Sequence, residues 1–229
     1  MIFITPPLSS EYLSEIFPWA DDRFIKALQK HAEWRHFAVG QQLFYEGEEP
    51  TEIFLVVKGV IKTFITDNEK HQTIITLYKS SELLGFRSLL LNEPHDKSAR
   101  AIQETEVLEL SKKVFLDFIQ NNPSSIACLL KSVEHSLSDI EMRATQILQQ
   151  NTTKRMANAL LMLYKKFGID KEQNINLDFT PREFAQLINT TRTTVYRILG
   201  KMEKDGYLLM NHSRIRIKDL NALNDLAGV

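Results

Sequence analysis

Cysteine is almost absent: Cys128 is the only one in 229 residues. An internal disulfide framework is thereby excluded, as is a cysteine-ligated zinc or iron–sulfur centre within one chain. A reducing cytoplasm is the expected compartment. Cys128 itself reads as a small helical filler, with a redox-sensing thiol as the alternative. Long apolar runs are missing too: nothing reaches the roughly 18 residues of a transmembrane helix, and residues 1–10 have no basic start and carry Pro6-Pro7. Neither a membrane span nor an export signal is expected. Charge of neither sign is in excess, with 28 Lys and Arg against 29 Asp and Glu, so contact with nucleic acid or membrane must come from local asymmetry. His31, His36, His71, His95, His135 and His212 are scattered without metal-ligand spacing. Each reads as a surface or half-buried polar residue, and no metal is expected.

What is present is ordinary in bulk, 43% hydrophobic and 25% charged, as in a globular protein long enough for two compact units. Residues 8–35 place Leu13, Ile16, Phe17, Phe24, Ile25 and Leu28 at helical spacings, with Asp21-Asp22 as a cap for the second helix. From Phe37 the pattern changes to short β runs, Gln42–Tyr45, Glu52–Lys58, Val60–Thr66, Gln72–Tyr78 and Glu106–Leu110, with Gly40, Gly47 and Gly59 between them. Many short strands separated by glycine turns imply a sandwich or barrel.

After Asn121-Asn122-Pro123 a strict heptad begins: Ile126, Val133, Ile140 and Ile147 at a, Leu130, Leu137 and Ala144 at d. Branched residues at a with Leu at d favour a parallel two-stranded coil, hence a homodimer. The alternative is one amphipathic helix packed on its own domain, since Leu129 and Leu148 widen the apolar stripe; both can hold if one side seals the domain. A further helix runs from about Thr153 to Phe167 and stops at Gly168. Residues 151–229 carry 13 Lys and Arg against 8 Asp and Glu, and residues 1–150 carry 15 against 21, so the two parts have opposite charge.

Thr180-Pro181-Arg182-Glu183 has the form of a helix start: a hydroxyl cap, proline at the first position and glutamate three residues after the cap. Phe184, Ala185, Leu187 and Ile188 give that short helix an apolar side, and Asn189-Thr190 breaks it. A second helix from Thr191 sets Val195, Ile198, Leu199 and Met202 on one side and leaves Arg192, Thr193, Tyr196 and Arg197 on the others. Two helices so closely joined make a helix-turn-helix. The second fits the DNA major groove, where Arg192 and Arg197 would read guanine bidentately; Thr193 and Thr194 suit a phosphate or a thymine methyl, with phosphate favoured for Thr194. Leu208–Met210 and Arg214–Ile217 alternate as a hairpin wing whose arginine side faces away from its isoleucine side. Between Thr191 and Lys218, which includes Lys201, seven basic residues face Glu203 and Asp205, a concentration that would release counterions on binding DNA.

In this order of parts the sequence resembles the family of bacterial transcription regulators typified by the cyclic-AMP receptor protein and the fumarate-nitrate regulator. The resemblance covers nearly the whole chain. It rests on Gly40 to Gly59 with Leu43-Phe44-Tyr45-Glu46-Gly47-Glu48, the Gly85 region ending in Ser98-Ala99, the heptad helix, and Thr191 to Leu199. It implies an α+β chain: an N-terminal antiparallel β-roll of the cyclic-nucleotide-binding type over residues 1–120, a dimerisation helix over 121–150, and a C-terminal winged helix-turn-helix over 151–229. It also implies an effector pocket at Gly85, Phe86, Arg87, Lys97, Ser98 and Ala99, and DNA contact by Thr180, Thr191, Arg192, Thr193, Thr194, Tyr196, Arg197, Lys201 and Arg214.

The sequence departs from the family where cyclic AMP would bind. The Gly-Glu pair that holds the ribose reads Gly85-Phe86, Arg-Ser-Ala at the phosphate reads Lys97-Ser98-Ala99, and the polar pair that meets adenine falls on Ile140-Glu141. Phe86 has no acceptor and Lys97 no bidentate fork, so control by cyclic AMP is not expected; another small anion, or no effector at all, fits equally. In the second helix Thr193 stands where relatives often carry glutamate, which should change or relax the base preferred there.

The expected function is a homodimeric, sequence-specific regulator on double-stranded DNA, with a pseudo-palindromic operator and half-sites about 34 Å apart. It is not an enzyme, needs no cofactor and has no membrane partner; RNA polymerase is a candidate partner for an activator. The competing readings are a nucleotide-binding signalling module acting through a protein partner and a cupin-like metalloenzyme, the latter short of ligands with only His71 and His95 inside residues 37–110.

Overall fold

The computed structural model describes residues 7–122 and 124–228, except the side chains at 124, 125, 127, 128, 131, 132, 135, 136 and 139. The readings of the Cys128 thiol, the His135 ring and the segment before Pro7 lie outside the described residues. Two compact units divide the chain, Met1–Ile65 with Ile75–Ser138, and Thr66–Ile74 with Asp139–Val229.

Helices α1 (Ser10–Ile16) and α2 (Asp22–His31) begin where the Ser9 and Asp21 side chains accept the backbone N–H of Tyr12 and Phe24. Eight strands follow with two helices among them: β1 (Glu33–Phe37), β2 (Gln42–Phe44), β3 (Glu52–Lys58), β4 (Ile61–Thr66), β5 (Gln72–Tyr78), β6 (Leu83–Leu84), α3 (Phe86–Leu91), β7 (Ser98–Ala101), β8 (Thr105–Ser111) and α4 (Lys112–Asn121). They form two four-stranded sheets, ordered β1-β8-β3-β6 and β2-β7-β4-β5, with antiparallel pairing between β1 and β8, β3 and β8, β2 and β7, and β4 and β7. Chain order alternates between the sheets except at β4 and β5, which are consecutive in one sheet, as expected of a roll.

Both faces of the first sheet are covered, which explains why Ile53 to Val57 is buried without alternation. Phe54, Val56 and Val107 point into the roll with Phe37, Phe44, Ile61, Ala99 and Ala101. Ile53, Leu55, Leu108 and Leu110 point outward and are roofed by Leu13, Phe17, Phe24, Ile25 and Leu28 of the first helices and Phe115 of α4. The helical reading of residues up to 35 is corrected by β1, where Glu33 to Phe37 pair residue for residue with Glu109 to Thr105. That pairing depends on a partner some seventy residues away, which local spacing does not reveal.

The second unit holds α6 (Thr152–Phe167), α7 (Pro181–Leu187), α8 (Arg192–Lys204), β9 (Leu208–Asn211), β10 (Arg214–Ile217) and α9 (Leu220–Ala227). The long α5 (Ser124–Gln149) precedes them. Gly168 ends α6 with φ 69°, close to the stop expected. Phe179, Phe184, Leu187, Val195, Ile198, Leu199, Leu208, Ile215 and Leu223 are all buried. The unpredicted α9 starts on an Asp219 cap, buries Leu223 and Ala227, and packs on α6.

Gly59 turns between β3 and β4 with φ 89°, and a Cβ there would lie 2.5 Å from both the Glu104 carbonyl oxygen and Thr105 Oγ1. At Gly47, φ 87°, a Cβ would meet nothing within 4 Å. Gly47→Ala should therefore cost only the left-handed backbone term of about 1 kcal/mol, whereas Gly59→Ala should cost clearly more, since backbone must shift. Urea midpoints of the two variants check the order.

Candidate nucleic-acid interface

The interface is built from the turn outward. Thr180 Oγ1 accepts the Glu183 backbone N–H and Glu183 Oε2 accepts the Thr180 N–H at 2.8 Å, a closed capping box. Helix α7 ends at Leu187 with Ile188 as its cap, and Asn189 takes φ 50°, so the chain turns into α8 within four residues. Arg155 of α6 donates to the carbonyls of Ile188 and Gln150, which pins that turn to the unit. Thr191 then caps α8, its Oγ1 accepting the Thr194 N–H at 3.2 Å and donating to Thr194 Oγ1 at 3.0 Å.

Burial of Val195, Ile198, Leu199 and Met202 forces the other face of α8 outward. Arg192, Thr193, Tyr196, Arg197 and Lys201 are all exposed there, Tyr196 by 60%. Among the described residues no ion pair restrains Arg192, Arg197 or Lys201. Glu203, the one carboxylate on the helix, turns away and accepts the Met210 N–H of β9 at 2.8 Å. The result is a convex helix carrying free guanidinium and ammonium groups, which suits a groove lined by phosphates and acceptor-rich base edges.

The other residues expected at DNA have partners within the chain. The hydroxyls of Thr180, Thr191 and Thr194 are engaged in caps, leaving Thr193 as the hydroxyl on the open face. The wing forms as expected, Arg214 opposite Asn211 and Ile217 opposite Leu208, with His212 at φ 58° in its two-residue turn. Arg214, however, lies against carboxylates of Asp170, Glu172 and Asp178.

Of the residues expected at an effector pocket, Arg87 and Lys97 meet at one carboxylate, and the others have separate roles. Gly85, φ 88°, caps α3, and Phe86 is 7% exposed within the core beneath α1 and α2. Ala99 faces the roll interior, while Ser98 Oγ accepts the Glu46 N–H at 3.0 Å. Lys97 Nζ lies 2.6 Å from Asp96 Oδ2, and Arg87 pairs with the same oxygen. Burial works to raise the Asp96 pKa, but the hydrogen bond and charge of Lys97 and then those of Arg87 hold it below the ordinary range. The chain thus supplies its own anion to both cations. His95 departs from the surface reading: it is 5% exposed and stacked on Phe44 with centroids 3.8 Å apart. Burial lowers its pKa against the pull of Glu48, Asp96 and Glu52.

Along α5 the heptad residues are on the surface: Ile126, Leu130, Val133, Leu137, Ile140, Ala144 and Ile147 are all exposed, Leu130 by 62%. Leu129, between them, is 8% exposed and packs in the core with α2 and α4. One side of the helix seals the first unit, and the heptad seam is left open.

Two family models match the chain: the cyclic nucleotide-binding domain over residues 34–122 and the Crp-like helix-turn-helix domain over residues 154–226. A CRP-like cAMP-activated global transcriptional regulator of Mycobacterium tuberculosis is 23% identical over 91% of this chain and 94% of its own length. The cAMP-activated global transcriptional regulator CRP of Salmonella typhimurium is 27% identical over 80% and 88%. Among solved structures, FixK2 from Bradyrhizobium japonicum aligns with a TM-score of 0.77 at 17% identity, covering 85% of this chain and 96% of that one. The c-di-GMP responsive regulator CLP of Xanthomonas campestris aligns at 0.74 and 18%, covering 87% and 100%. At these identities the structures establish the shared fold. Among the described residues no helix is long and apolar enough to cross a membrane.

The caps make a stability prediction. Thr191→Ala removes the α8 cap and should cost about 1 kcal/mol, whereas Thr193→Ala, on the open face, should leave the urea midpoint within about 0.5 kcal/mol of the parent.

Proposed function

The chain belongs to the Crp/Fnr family of bacterial transcription regulators and is a DNA-binding transcription regulator of that type; from that premise we propose that it works as a cytoplasmic homodimer on a pseudo-palindromic operator, without cyclic AMP. The carrying observation is the open face of α8. Arg192 and Arg197 are the base readers, each able to meet guanine O6 and N7 at once, with Thr193 and Tyr196 beside them and Lys201 on phosphate. Each protomer supplies one helix, so half-sites lie about one helical turn apart.

The dimer is supported by α5. Full burial of an Ile, Leu or Val side chain contributes about 1.5–3 kcal/mol, and the heptad seam leaves six such residues and Ala144 in water. A second copy of the same helix is the partner whose pattern matches that seam by symmetry. The independence from cyclic AMP is supported by three placements: Phe86 in the core, Ser98 bonded to Glu46, and Arg87 and Lys97 both held by Asp96. Activation, if the regulator activates, adds a contact with RNA polymerase.

Two outcomes check this reading. Fluorescence anisotropy with a selected palindromic duplex and a scrambled one, at two salt concentrations, should show tight, salt-sensitive and selective binding that cyclic AMP does not change; Arg197→Ala should cost about 1–3 kcal/mol and relax selectivity. Equal binding of both duplexes would sink it. Leu137→Glu places a charge in the seam and should give monomers by sedimentation, with loss of binding to the full palindrome.

A further inference from the structure

Arg214 is the wing residue that sequence places on DNA, yet its guanidinium is already surrounded. Its Nη1 lies 3.7 Å from Asp170 Oδ2 and 3.5 Å from Glu172 Oε2, and its Nε donates to Asp178 Oδ1 at 3.3 Å. The three carboxylates come from the loop that joins α6 to α7.

That loop is held in place by its own backbone. Asp170 Oδ1 accepts the N–H groups of Glu172 and Asn174, both at 2.9 Å, and Gln173 turns with φ 66°. Ile175 N donates to the Ile215 carbonyl at 2.8 Å and Phe179 N to the Ser213 carbonyl at 3.2 Å, so the loop runs along β10 as an extra edge. Arg216, the second wing arginine, donates to the Glu172 carbonyl. Ile175, Leu177 and Phe179 are buried beneath. The Asp170 carboxylate is therefore fixed beside Arg214 before any ligand arrives, and Glu172 and Asp178 meet the guanidinium from the same anchored loop.

The charges decide what the wing offers to DNA. One guanidinium among three carboxylates leaves a negative cluster, whereas the open face of α8 carries Arg192, Arg197 and Lys201 with no restraining ion pair among the described residues. A phosphate approaching the wing must displace carboxylates from Arg214 and lie close to them afterwards. We propose that Asp170, Glu172 and Asp178 withhold Arg214 from the DNA backbone, so that the α6–α7 loop, through these positioning residues, sets how much the wing adds to DNA affinity. The proposal rests on the DNA-binding reading above.

The test pairs a DNA measurement with one that uses no DNA. In the full-length protein, Asp170→Asn with Glu172→Gln and Asp178→Asn frees Arg214 for one phosphate, the amide oxygen at 170 still accepting the loop's N–H groups. Against the same palindromic duplex this should steepen the slope of log affinity on log salt by about 0.9 and raise affinity about fivefold near 0.15 M salt, as one added phosphate contact does. Adding Arg214→Ala should abolish that gain. Unchanged affinity and slope in the neutralised protein overturns the proposal, as does a gain that survives Arg214→Ala. So does Arg214→Ala costing the wild type as much as it costs the neutralised protein, because Arg214 would then already sit on phosphate. Without DNA, the Arg214 Nε–H resonance of 15N-labelled protein should shift on Asp178→Asn, and an unmoved signal means that no clamp exists. Failure of the regulator reading shows separately, as a wild type that binds no duplex while the resonance still shifts.

Discussion

The burial of one side of α8 is the constraint on which the reading surface depends. Val195, Ile198, Leu199 and Met202 leave water together, and a helix that commits those positions inward has no choice about where Arg192, Tyr196 and Arg197 go. The tight turn at Asn189 and the grip of Arg155 on the Ile188 carbonyl keep that commitment in one orientation. The chemistry of the open face follows from packing behind it.

The same logic orders the first unit. A sheet covered on both faces needs apolar side chains at every position of its central strands, and β3 supplies them. One covering layer is helical and draws in Phe86 and Leu129; the other is the roll interior, where Phe44 stacks on His95. Phe86 belongs to the core, and Asp96 pairs with both Arg87 and Lys97.

Charge is distributed with equal consequence. The C-terminal part is basic in total, yet its basic groups are not equivalent: those on α8 face solvent unpaired among the described residues, whereas Arg214 is enclosed by acids of a neighbouring loop. Counting lysines and arginines treats them alike; geometry separates groups without an ion pair from one that meets three carboxylates.

Sequence alone determined the features set by local spacing. The heptad of α5, the capping box at Thr180, the break at Asn189, the two sides of α8 and the alternating wing were all legible, because each depends on residues within a turn or two of one another. It missed β1, β6, β7, α3, α4 and α9 and gave no sign of the carboxylates beside Arg214, because those outcomes depend on distant partners: Glu109 for Glu33, α6 for α9, and Asp178, thirty-six residues away, for Arg214. Residue type and period fix which way a side chain points along its own element; only the tertiary structure brings the opposing charge or apolar surface that decides what it does there.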